Sequence, residues 1–181
     1  TVMSDSATAR NLTLYARSGN ATFDAAVGST AKPINQFMVT AANDTVFNNL
    51  VTVAHLETGT TGTTKFNTPK VLSTGPSSMV FGNDVVVWPA SFTFDSTNDG
   101  ALSSGANITF NKTLSSASAG FSDVRIQAGS VGVVRLLGAV GKDGSGSTRP
   151  LKSLVVSAGG GIVIGGVYVE TTGTQTYDND L

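Results

Sequence analysis

Residues Leu151–Tyr177 read LKSLVVSAGGGIVIGGVYVETTGTQTY. Leu154, Val156 and Ala158 alternate on one face, Ile162 and Ile164 form the next run, and Val167 and Val169 follow the Gly165-Gly166 pair. Apolar residues at every second position, in short runs punctuated by glycine, mark half-buried strands and not helices, whose apolar positions recur every three to four residues.

The same grammar runs back through the chain. Leu12, Leu14 and Ala16 alternate, then Phe37, Val39 and Ala41, then Val46 to Val53. In the middle, Val71-Leu72, Met79–Phe81, Val85–Trp88, Phe92–Phe94 and Ile108–Phe110 are short apolar runs. Gly75-Pro76, Gly82-Asn83, Asn98-Asp99-Gly100 and Gly105-Ala106-Asn107 are turns between them. No segment carries a sustained helical stripe; Asn35–Leu56 comes nearest and mixes Val, Thr and Asn too heavily. The alternation predicts an inward set of Leu12, Leu14, Phe23, Val39, Val53, Phe94, Ile108, Phe110, Ile126, Leu136, Leu154, Val156, Ile162, Ile164 and Val169.

Two long stretches, residues 11–53 and 123–177, match in order. Val124–Ala128 follows Leu12–Ala16, Gly138–Gly141 follows Ala25–Gly28, and Arg149–Leu151 follows Lys32–Ile34. Val156–Ala158 then follows Val39–Ala41, and Ile162–Val169 follows Val46–Val53. Insertions between the matches fall in loops, where backbone change is tolerated.

Many short strands at near-regular spacing suit a sandwich, a barrel or a solenoid. A long-range repeat with variable loops on a constant strand pattern favours a β-solenoid; a β-sandwich, as a filament subunit or a carbohydrate-binding module, is the alternative. Composition agrees: only 13% of the 181 residues are charged, against roughly 25% in ordinary domains, and Gly, Ser, Thr, Asn and Val fill the difference. The net charge of −1 gives no general attraction to nucleic acid. No apolar run reaches the roughly 20 residues of a membrane-spanning helix. There is no cysteine, hence no disulfide, thiol nucleophile or thiolate metal site. The opening TVMSDSATAR lacks an apolar leader core and an initiator methionine, so the chain is expected to be a processed product or a segment of a larger protein.

Three motifs carry a resemblance: Leu136-Leu137-Gly138-Ala139-Val140-Gly141, Pro150-Leu151-Lys152-Ser153-Leu154-Val155-Val156-Ser157-Ala158, and Thr171-Thr172-Gly173-Thr174-Gln175-Thr176-Tyr177. They resemble the repeat units of large secreted bacterial surface proteins of the filamentous-haemagglutinin-like adhesin type. Residues 11–53 match as a degraded copy and the middle mainly through Asn107–Asn111. The longer loop Lys142–Thr148 and the irregular middle depart from the pattern. The resemblance implies an all-β fold, a right-handed parallel β-helix spanning residues 1–181 as one solenoid segment. It also implies export to the bacterial cell surface and a stalk or adhesive role. Implied partners are a host or neighbouring-cell surface, glycan or protein, or other copies of the chain.

Residues that could carry chemistry are few. His55 is the sole histidine and has no second His or Cys to complete a metal site, so it reads as a strand-end residue. Asp95 with Asp99, and Asp178 with Asp180, are the carboxylate pairs that could hold calcium or cleave a polysaccharide. Neither pair has the spacing of a known calcium loop, and Asp suits turns by bonding its own backbone. Turn formation is the reading preferred, leaving no expected catalytic residue, metal or cofactor. Gly144-Ser145-Gly146 has the composition of a linker and not of a nucleophile elbow. Asn11, Asn20, Asn43, Asn107 and Asn111 head N-x-[ST] triplets, read as compositional in an Asn- and Thr-rich chain. Phe92 and Phe94 read as a core ladder. Trp88, before Pro89, is the one aromatic that fits a sugar-stacking surface residue as well as a packed one.

Overall fold

The computed structural model describes residues 2–4, 10–41 and 43–179. These contain seventeen strands, numbered in chain order, and no helix. All fifteen strand pairings are parallel. A β-sandwich of the kind held open by the sequence is built from antiparallel sheets, so that alternative does not describe the chain.

Three runs of paired strands recur in the same order along the chain. The first comprises β1 (Arg10–Ala16), β3 (Ile34–Ala41), the second half of β5 (Val51–Thr58), β8 (Met79–Phe81), β11 (Ile108–Phe110), β14 (Val134–Leu136) and β16 (Ile162–Ile164). A second comprises β2 (Ala21–Phe23), β4 (Asp44–Phe47), β6 (Thr63–Phe66), β9 (Asp84–Val87) and β12 (Leu114–Ser116). Bridges from Leu114 to Val140 and from Val140 to Val169 extend it. The third starts with bridges Val2–Val27–Val51 and continues through β7 (Lys70–Ser73), β10 (Ser91–Asp95), β13 (Asp123–Gly129), β15 (Ser153–Ala158) and β17 (Gln175–Asp178).

The first and third runs merge into one twelve-stranded, nearly closed sheet because β5 belongs to both. Its Val51–Val53 half pairs with β7 and its Leu56–Thr58 half with β8, where other passes of the chain break into two strands. The second run is a separate five-stranded sheet.

The core lies between the two sheets and is built from residues in register. Phe23, Phe47 and Phe66 are register partners on β2, β4 and β6, and their rings stack at 5.1 and 5.2 Å. That separation is set by the strand spacing of roughly 4.8 Å, which brings identical side chains into face-to-face contact. Phe81 and Phe110 stack in the same way at 4.9 Å, and Phe94 meets both edge-on. Phe92 and Phe94 are fully buried, as a core ladder requires.

Corners close on backbone that only certain residues tolerate. Gly62 has φ +67°, and a Cβ there would come within 1.3 Å of the Asn43 carbonyl oxygen, so any side chain would collide with the neighbouring pass. At the next corner Asn83 is buried, its side-chain oxygen accepting from the Thr58 and Thr64 hydroxyls at 2.9 Å each and its amide donating to the Thr61 carbonyl.

Most of the expected inward set is buried, but two members are corrected. Leu14 is 36% exposed and Ile164 46% exposed. Leu12, Phe23, Ile162 and Val169 are only partly buried against the core. Leu14 lies on β1 and Ile164 on β16, the outermost strands of the first run, so each is covered from one side only. The matched stretches 11–53 and 123–177 occupy different runs. Leu12–Ala16 lies in the first and Val124–Ala128 in the third, while Val27 lies in the third and Val140 in the second. Every matched pair is displaced in the same sense, by one run.

Candidate functional site

The outward face of the five-stranded sheet carries a groove lined by charged and polar side chains and one tryptophan. Alternation turns Thr64 and Phe66 inward on β6 and Thr63 and Lys65 outward, and on β9 it turns Val85 and Val87 inward and Asp84 and Val86 outward. In register, Lys65, Val86 and Ser115 form one outward row. Trp88 directly follows β9, its backbone amide donating to the Phe66 carbonyl at 3.0 Å. Its side chain is 51% exposed.

Beside this row the loop Lys142–Thr148 arches over the sheet and leaves a groove of about 610 Å³ against Lys65, Asp84, Trp88, Ser115, Asp143 and Arg149. Sites for small molecules span roughly 300–1,000 Å³. The loop is organised by one carboxylate and is more than the linker its Gly/Ser composition suggests. Asp143 Oδ1 accepts from the Ser145 amide at 3.0 Å, the Ser145 hydroxyl at 2.6 Å and the Ser147 amide at 3.0 Å. The Ser145 hydroxyl, first among these donors in effect, holds the Asp143 carboxyl below the ordinary carboxylate value, with the backbone amides and Arg149 acting in the same direction. Arg149 reaches Asp143 at 3.6 Å and donates to the Ala117 carbonyl at 2.9 Å, tying the loop to the sheet. At the other end Lys142 Nζ sits 4.7 Å from the centre of the Tyr168 ring. Gly144 passes so close to the sheet that a Cβ there would lie 2.3 Å from Asp84 Oδ2.

Charges around the groove are largely paired. Lys65 contacts Asp44 at 2.6 Å, and Asp84 accepts from the Thr113 hydroxyl at 2.7 Å. Ser115 Oγ, on the groove floor, is buried without a hydrogen-bond partner. On the other side of Trp88 an exposed amide ladder leads away: Asn67 donates to Asn48 at 2.6 Å, and Asn48 to Asp24 at 2.7 Å. A second hollow, of about 350 Å³, lies between Asn67, Trp88 and Pro89. Trp88 therefore stands as a partition between two hollows.

Elsewhere the sequence's candidates are placed as follows. Asp95 is 2% exposed. Its Oδ1 accepts from the amide and hydroxyl of Thr97 at 2.6 and 2.7 Å, and its Oδ2 from the Asp99 amide at 3.2 Å. Those bonds hold the turn in which Asn98 and Asp99 have φ of 53° and 55°. The Asp99 carboxylate turns instead to Lys70. Asp178 is exposed on β17, and Asp180 lies outside the described residues. His55 lies 3.6 Å from Glu57 on the same strand. No group of three or more His, Asp or Glu able to hold a metal ion occurs among the described residues. No helix among them is long and apolar enough to cross a membrane. The five N-x-[ST] asparagines are all exposed.

Of the groove residues, only Trp88 stood out in the sequence. Lys65, Asp84 and Ser115 converge because the strands that carry them pair in parallel, and Asp143 and Arg149 join them because their loop folds back over that sheet. For Lys65 and Asp84 the local signal was their place on the outward phase of the alternation.

Among known proteins, no family model, curated protein or solved structure matches this chain. The reading of its function therefore rests on its own residues and on the repeat motifs it resembles.

Proposed function

We propose that the chain is a segment of a right-handed parallel β-solenoid and serves as a non-catalytic structural or adhesive part of a secreted bacterial surface protein. The observation that carries this reading is the recurrence of three parallel runs in constant order, with the core columns in register from Leu12 through Phe37, Leu56, Met79, Ile108 and Val134 to Ile162. Each pass adds one rung, so length grows by about 4.8 Å per pass while the cross-section stays constant. Continued over further passes in a larger protein, such a stack offers long polar faces suited to many weak contacts in parallel. Its partner would be a host or neighbouring-cell surface, or further copies of the chain.

Cross-strand nuclear Overhauser contacts in the purified chain test the stack. Contacts in parallel register down the column Leu12, Phe37, Leu56, Met79, Ile108, Val134 and Ile162 are expected, and antiparallel pairing or a different register would overturn the solenoid reading. Incubation with plant and bacterial polysaccharides tests the absence of catalysis: no new reducing ends are expected, and turnover lost on changing Asp84 or Asp143 to Asn would overturn it.

A further inference from the structure

We propose that the groove beside Trp88 is a binding site for a neutral oligosaccharide of pyranose units, lying across the outward face of the five-stranded sheet. The proposal deepens the contact-module reading by naming the chemistry that one of its faces takes.

Four observations point the same way. First, Trp88 is 51% exposed while eight of the nine phenylalanines lie in or against the core, so this chain does bury aromatics where packing calls for them. An indole standing free between two hollows offers an apolar face to the C–H side of a sugar ring while its N–H stays available to a hydroxyl. Second, the flanking charged groups are already held by neighbours. Asp84 is held by Thr113, Asp143 by Ser145, and Arg149 by Ala117 and Asp143. Acceptors and donors ordered in the free chain bind hydroxyls at a smaller entropy cost.

Third, the charges balance. Lys65, Lys112 and Arg149 line the groove against Asp84 and Asp143, and Asp44 adds a third carboxylate 2.6 Å from Lys65. Three cations against three carboxylates leave no net field to select an acidic sugar, which favours an uncharged one. Fourth, the track continues past the indole: a second hollow lies between Trp88, Pro89 and Asn67, on the adjacent rung, since Phe66 and Val87 are register partners. An extended chain of sugar rings, each offering hydroxyls at its edges, fits that run of polar hollows better than a compact ligand.

Trp88 is the only tryptophan, so the unlabelled chain reports on its own groove. Tryptophan emission is titrated with cellohexaose, maltohexaose, mannohexaose and hexa-N-acetylchitohexaose, and with hexagalacturonate as the acidic counterpart. Expected is a saturable shift to shorter wavelength with at least one neutral hexamer, with an affinity roughly in the micromolar-to-millimolar range. Trp88→Ala, followed by NMR titration, is expected to weaken binding about tenfold or more, and Trp88→Phe to retain most of it. Circular dichroism of both variants checks that the fold is intact, which the exposure of residue 88 leads one to expect. Response to none of the neutral hexamers, response to hexagalacturonate alone, or binding unchanged in Trp88→Ala would each overturn the proposal. The cross-strand contacts separate this from the broader reading: a parallel stack that ignores the sugars sinks the groove alone, and a chain that binds them without that register sinks the solenoid alone.

Discussion

Two regions of the molecule differ in how plainly they read and how deeply they are buried, and the two orders are opposite. Leu151–Tyr177 has the clearest alternation in the chain, yet beyond β15 Ile162 and Val169 are only partly buried and the rest lie open: Val163 is 43% exposed, Ile164 46% and Val167 87%. The middle, Met79–Phe110, reads irregularly, yet Phe81, Phe92, Phe94 and Phe110 are all buried there. Alternation along a strand says which side a residue faces. Burial depends on whether another strand lies above and below it, and in a parallel stack those strands come from 19 to 32 positions away. Ile164 faces the same column as Leu136 and Phe110 but has a neighbour on one side only.

The largest expected effect tests the buried side of this contrast. Phe66 is fully buried and meets Phe47, Phe81, Phe92 and Phe94 with ring centres between 5.2 and 5.9 Å. Phe66→Ala should cost about 3–5 kcal/mol and lower the melting temperature by roughly 10 °C or more. A shift of only a degree or two would mean that the aromatic columns are not the core.

Next comes the corner at Asn83. Asn83→Ala leaves the buried hydroxyls of Thr58 and Thr64 without their shared acceptor, at a cost of about 1–3 kcal/mol. Denaturant midpoints measure it, and pairing the change with Thr58→Val should return part of the loss. Additive losses in the double variant would show that the three side chains do not act as one unit.

Ile164→Asp sharpens the comparison from the exposed side. At a half-open position on the outermost strand, the charge keeps its water, and a loss below about 1 kcal/mol is expected. The same change at Leu136, its fully buried register partner, should cost several times more. Equal losses at the two positions would erase the distinction between the stack's interior and its end.

The smallest effect concerns the loop over the groove. Because Ser145 and its neighbours favour the ionised form of Asp143, folding lowers that group's affinity for a proton. The stability this contributes is present above the unfolded carboxyl value near 3.8 and is lost as pH falls through the lower folded value. Melting curves of the native chain and of Asp143→Asn should therefore draw together as the pH is taken from 6 to 3. A gap independent of pH would show that the carboxylate does not hold the loop.

Much of the fold was legible because two local signals agreed. Period-two alternation marked the strands, and Gly, Asn and Pro marked the corners, as at Gly82-Asn83 and Asn98-Asp99-Gly100. Of the site, Trp88 was visible as an aromatic without a place in the alternation. Asp143 was not, since a Gly/Ser-rich loop looks unstructured until its carboxylate is seen collecting three hydrogen bonds from Ser145 and Ser147. The matched stretches 11–53 and 123–177 were visible as similar strings, but not their displacement by one run, because each pass is equally compatible with starting on any face.

By itself the sequence determined that the chain is all-β, which side of each strand turns inward, and where the backbone turns. These follow from steric and solvation preferences that act within a few residues. Only the tertiary structure decided that the strands pair in parallel with partners some twenty to thirty positions away, and so which inward residues are covered on both sides. It also decided that Lys65, Asp84, Trp88, Ser115, Asp143 and Arg149 meet at one groove. Register between distant strands is set by the summed packing of whole columns, from Phe23 to Phe66 or from Leu12 to Ile162, and no local stretch contains that sum.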